Sequence, residues 1–231
     1  MFPLGSVLSA ELSRPWLWRG AGIAALIAVG LIAIPIVSSL AHEVRVGQLG
    51  AALLGPALSV MLTVGAVLGS FAFTVDFRRG SLHRRVLLFS RAPIFASRAA
   101  STFLASMVAG GTVGSVLVLL MLLLGGHPTS FFAAGAFAGV AAVGSMWGFA
   151  VGSLVRNHLV AFFVVPLTLA LPEFLAGAGI TTGFFFPVLT SEWSTSVAEG
   201  RINSMPLLGS LCWLVLLLGS AGAVFSQRDL R

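Results

Sequence analysis

Apolar residues in this chain run in long unbroken stretches separated by short polar breaks, without the alternation of strands. A helix needs about 20 apolar residues to cross a bilayer core, and the pattern yields six such spans. The first is Gly20 to Leu40, followed by a brief loop with His42, Glu43 and Arg45. The second, Leu49 to Val75, carries no charge. At 1.5 Å per residue it would extend ~40 Å, so it tilts or protrudes. Asp76 to Arg98 then breaks the pattern with one acid and six arginines. Ala99 to Val155 is uncharged again and too long for one crossing. The turn-forming Gly125-Gly126-His127-Pro128-Thr129-Ser130 divides it into a third and a fourth span. Arg156-Asn157-His158 makes a tight loop, Leu159 to about Ala178 is the fifth span, and Pro206 to Phe225 is the sixth.

Two segments fit neither spans nor simple loops. Residues 1–19 place Leu4, Leu8 and Leu12 four apart, with Ser6, Ser9 and Ser13 interleaved, until Pro15 stops the pattern. This predicts an interfacial amphipathic helix with Trp16 and Trp18 at headgroup depth. Met1 to Ala10 holds no basic residue, which argues against a cleaved signal peptide. Residues 179–205 hold Phe184-Phe185-Phe186-Pro187, then a polar portion with Glu192, Trp193, Glu199 and Arg201. That stretch is too apolar for an aqueous loop and too interrupted to span, so a re-entrant or interfacial hairpin is expected.

Composition confirms the solvent. Of 231 residues 58% are hydrophobic and 9% charged, and mean hydropathy is +1.04. Soluble domains run at about a quarter charged. In lipid the backbone must be helical or a closed barrel, and barrel strands would alternate over about ten residues. The expectation is an all-α polytopic protein, one transmembrane domain over residues 1–231. The single cysteine, Cys212, excludes a disulfide within the chain.

Charge orients it. All 13 basic side chains are arginines. Arginines 14, 19, 78, 79, 84, 85, 91, 98, 156, 228 and 231 fall on one side, and only Arg45 and Arg201 on the other. Cytoplasmic loops carry the basic excess, so both termini are expected in the cytoplasm. The pI of about 11.6 then reflects membrane-edge arginines and not nucleic-acid binding. The Arg-for-Lys, Ala/Gly/Val-rich bias suggests a GC-rich bacterium, hence a bacterial plasma membrane. Without lysine, no standard P-loop can form.

Candidate chemistry is sparse. His42, His83, His127 and His158 lie near span edges without an H-E-x-x-H pair, and no G-x-S-x-G elbow occurs. Glu173, after Pro172, is the one carboxylate that looks intramembrane. It admits two readings: a proton relay or translocation-path group, or a side chain reaching polar partners at the outer edge. Glycines four apart (Gly65/Gly69, Gly110/Gly114, Gly135/Gly139 and Gly144/Gly148/Gly152) are expected to let helices approach closely.

The break at 76–98 is the most informative stretch. Gly80-Ser81 can interrupt and recap a helix. Leu82, Val86 and Phe89 then share one face, with His83, Arg84 and Arg85 opposite, and Pro93 suits the first turn of the next helix. The residues alone allow a helix on anionic lipid or one docked on a partner.

Asp76, Arg79, Gly80, Ser81, Leu82, Arg91 and Arg98, with the Val151-Gly-Ser-Leu-Val-Arg-Asn junction and the late Pro-Glu of the fifth span, resemble type-2 ATP-binding-cassette exporter permeases. Asp76 stands where the family more often has Glu, and Arg98 where it often has Lys. The resemblance implies a path formed with a second permease copy, identical or homologous, and powered by two separate cytoplasmic ATPase subunits. ATP and magnesium would be held on those partners and no cofactor in this chain. It implies that the segment around Ser81 to Phe89, including Arg84 and Arg85, couples ATP hydrolysis to transport. It also implies that 1–19 lies on the membrane surface and that 179–205 re-enters from the outer side. The rival classes are a secondary transporter, a membrane enzyme, and an immunity or scaffold protein.

Overall fold

The computed structural model describes residues 4–41, 46–78, 91–123, 132–155 and 157–227. Every regular element among them is an α-helix: α1 (Leu4–Leu12), α2 (Pro15–Ala41), α3 (Val46–Arg78), α4 (Arg91–Leu123), α5 (Phe132–Val155), α6 (His158–Gly177), α7 (Phe186–Ala198) and α8 (Ser204–Gln227). Six of these, α2 to α6 and α8, are long and apolar enough to cross a membrane. The chain is therefore an all-helical, multi-pass membrane protein.

The N-terminal boundary differs from the sequence expectation. The first spanning helix begins at Pro15 instead of Gly20, so Trp16, Trp18 and Arg19 belong to it, and the preceding helix ends at Leu12. The physical reason is that proline, which ends one helix, also suits the first position of the next. The elbow is fastened where Trp18 Nε1 donates to the Leu12 carbonyl at 2.7 Å. The second span lies in a helix longer than a crossing needs: α3 has 33 residues, about 50 Å at helical rise, and continues through Asp76 to Arg78. Residues 79–90 lie outside the described residues, and with them the Gly80-Ser81 turn and the Leu82, Val86 and Phe89 face. The Gly125–Ser130 divide, complete within 124–131, and Arg156 lie outside as well.

α5 is the axis of the bundle, with 78% of its spanning window buried inside the protein against 17% for α8 at the rim. Glycine puts it there. A Cβ on Gly144 would stand 2.5 Å from the Leu62 carbonyl oxygen, and one on Gly65 2.6 Å from that of Ala141. Gly148 and Gly69 would collide with the Ala66 and Ser145 carbonyls outright. On another side of α5, Gly110 and Gly114 of α4 meet Phe137 and Ala134 just as closely. Between helices in lipid, such close packing replaces the hydrophobic effect. The exception among the spaced glycines is Gly135, with nothing within 4 Å, while its neighbour Gly139 makes room for the Trp193 ring.

Helix α7 has 13 residues, about 20 Å, too short to cross. It is folded back onto the bundle by two left-handed glycines, Gly179 (φ 80°) and Gly200 (φ 77°), a backbone that side chains disfavour. Each glycine ends a helix, with N–H groups returning to the last turn: Ile180 to the Leu175 carbonyl at 3.0 Å, and Arg201 to that of Ser196 at 2.8 Å. Phe186 stacks on Trp147 of α5 with centroids 4.3 Å apart. Trp213 of α8 donates to the Phe184 carbonyl at 2.8 Å.

Candidate functional site

Two places concentrate charge, at opposite ends of the bundle. The first is a cleft of about 470 Å³ walled by α3, α6 and α7. From α3 come Ser59 and Thr63, from α6 Pro172 and Glu173, and from α7 Ser191 and Glu192. The prolines shape the α6 wall. Pro166 and Pro172 lack N–H donors, which leaves the Phe162 and Thr168 carbonyls without their helical partners. Thr168 is further engaged sideways, accepting from Trp147 Nε1 at 3.1 Å.

Glu173 and Glu192 are both exposed in this cleft, and neither forms an ion pair among the described residues. Their neighbour Glu199 does, with Arg201. Glu173 sits in the last turns of α6, where the negative end of the helix dipole repels an anion and attracts a cation. Glu192 also borders a second cleft of about 580 Å³ between α7 and α8, beside Phe184, Cys212 and Trp213. Chemically the pair offers uncompensated negative charge beside hydroxyls and apolar walls, a lining suited to a cation-bearing amphiphile. Among the described residues no three His, Cys, Asp or Glu side chains gather as a metal site.

The second place is the arginine-rich end. Here Glu11 of α1, 4% exposed, meets Arg98 of α4, 2% exposed. Arg98 Nε lies 3.8 Å from Glu11 Oε1, and Arg14 Nη2 lies 3.0 Å from the same oxygen. Beside it Arg91, first residue of α4, donates from Nη1 to the Ser226 carbonyl at the end of α8, at 2.8 Å.

Of the residues the sequence singled out, Glu173 lines the first cleft, Asp76 falls in the last turn of α3, and Arg91 braces α4 against α8. Arg79, Gly80, Ser81, Leu82, Arg84, Arg85, Val86 and Phe89 lie outside the described residues. Sequence reasoning missed two partners. Glu192 joins Glu173, a meeting hinted at by placing the 179–205 segment on the same side as the end of the fifth span. Glu11 joins Arg98, whose only sequence sign was an acid on a short amphipathic helix. The chain matches no family model and no curated protein.

Proposed function

We propose that this chain is the membrane-spanning permease subunit of an ATP-driven exporter in a bacterial plasma membrane. A second permease copy would complete the path, and separate cytoplasmic ATPase subunits would supply the drive. The observation that carries the reading is the arginine-rich break in the sequence between α3 and α4, which leads directly into a braced helix foot. Arg91 ties that foot to α8, and Arg98 ties it to α1. A docking segment needs such a stiff mount to pass force to the spans. The lack of lysine, hence of a P-loop, agrees with nucleotide bound on another chain.

In this reading the arginine-rich end faces the cytoplasm and the Glu173/Glu192 cleft opens toward the outer side. The cleft belongs to the translocation path and favours substrates carrying a positive charge on an apolar body. A cation-coupled secondary transporter is the second reading, favoured by two unpaired carboxylates beside a proline-interrupted helix. Purification from the native membrane separates the two. A stoichiometric partner with vanadate-sensitive ATP hydrolysis supports the exporter. A chain that purifies alone and transports in proteoliposomes without ATP would sink it.

A further inference from the structure

A helix of nine residues, such as α1, is too short to persist without tertiary support. Its apolar positions Val7, Leu8 and Leu12 are only half-buried, whereas the acidic Glu11 is buried. The bundle therefore encloses the carboxylate of α1 more completely than its leucines, so what holds α1 to the protein is its acid and not its apolar face. The carboxylate is drawn into the bundle by Arg98, and α1 packs on α4.

Arg98 is two turns inside α4 from Arg91 and almost fully buried. A guanidinium there is tolerated only when its charge is met, since breaking a buried pair from one side is strongly unfavourable. Glu11 meets it. Lifting α1 away would therefore take the Glu11 carboxylate from beside Arg98, so the seating of α1 is coupled to the burial of Arg98. Arg14, on the elbow between α1 and α2, adds a second cation to the same carboxylate oxygen.

We propose that Glu11 is a positioning residue that seats α1 on the foot of α4. The surface helix, its elbow and that foot then move as one body. Any displacement of the segment entering α4 at Arg91 carries α1 with it. This goes beyond the exporter reading and holds with or without an ATPase.

The test is a pair of electron-spin distance measurements on the full chain in lipid nanodiscs, with Cys212 replaced by serine. One spin-label pair reports on the seat, at Ser9→Cys and Ser115→Cys, both exposed and on α1 and α4. The control pair, Ser115→Cys and Ser220→Cys, joins α4 to α8 and leaves α1 out. With Glu11 present both distance distributions should be narrow. E11Q should widen the α1 distribution about twofold or more, as a locally released element samples many positions, and leave the control narrow. E11D keeps the charge but withdraws it by one methylene, and should widen the α1 distribution to a smaller extent. If E11Q yields no monodisperse protein, E11D decides alone. An unchanged α1 distribution overturns the proposal. So does equal broadening of both pairs, which would make Glu11 a support of the whole bundle and not the seat of α1.

Discussion

Gly148→Ala adds a single methyl group where α3 and α5 cross. That methyl would overlap the Ala66 carbonyl oxygen and stand 2.5 Å from its carbon. Both atoms belong to helical backbone and cannot rotate aside. Carbon atoms in contact rest about 3.5 Å apart or more, so relieving the carbon contact alone needs the two helices to separate by at least roughly 1 Å at this point. A gap of that size forfeits about a quarter to a half of each dispersion well along the shared face. Overpacked cores lose typically 1–3 kcal/mol, and a backbone obstruction places this variant at the upper end, about 3 kcal/mol. Gly135→Ala is the matched control on the same helix. Nothing lies within 4 Å of its added Cβ, and alanine favours the helix over glycine by about 1 kcal/mol. For a chain of this size each kcal/mol moves the melting point by about 2–4 °C. Gly148→Ala should then melt about 6–12 °C below the parent and Gly135→Ala slightly above it. The assay is the loss of monodisperse protein in one detergent after a fixed heating time, since such unfolding is irreversible and rate-dependent. A Gly148→Ala variant as heat-resistant as Gly135→Ala would refute the claim that glycine sets the α3–α5 distance.

Three further outcomes are expected. With Cys212 replaced by serine, single cysteines at Val44, Thr129 and Asn203 should react with impermeant thiol reagents on intact cells, and those at Arg85 and Gln227 should not; labelling at Arg85 would invert the orientation. Glu173→Gln and Glu192→Gln should each weaken binding of a cationic amphiphile about two- to fivefold, as expected of exposed charges; a neutral analogue should be unaffected, and equal losses on both ligands would remove charge selection from the cleft. Val86→Glu should abolish ATPase association while Arg84→Ala largely preserves it, because a carboxylate buried unpaired in a docking groove is strongly unfavourable; undiminished binding and transport in Val86→Glu would take the coupling role from this segment.

The spans were legible because lipid imposes a length rule on single runs of sequence, and a run of apolar residues needs no knowledge of its neighbours. What depended on a neighbour was not legible. Gly135 and Gly148 look alike along the chain, yet only Gly148 meets a backbone. Arg98 at the edge of an apolar run looks the same whether its side chain snorkels to the interface or is buried against an acid. Its acid, Glu11, lies on a helix separated from it in the chain by two whole spans. Pro15 could close the surface helix or open the spanning one, and it opens the spanning one. Glu173 and Glu192 share a cleft only because the left-handed backbone at Gly179 turns the chain back after α6.

The placement of these parts makes α3 the element that joins the two charged ends. Near its middle it offers Ser59 and Thr63 to the cleft, and its last turn holds Asp76, just before the arginine-rich break. Between them Gly65 and Gly69 press it against α5 carbonyl to glycine, without the slack of intervening side chains. A displacement applied at the Arg78 end is therefore carried along a stiff rod gripped by the axis of the bundle, and needs no relay of side chains to reach the cleft. In the proposed exporter, loosening the grip would therefore disturb function as well as stability. At temperatures where Gly148→Ala is still folded, it should reduce the coupling of ATP hydrolysis to transport more than it reduces hydrolysis itself. Coupling that survives intact would mean that the drive reaches the cleft by a route other than α3.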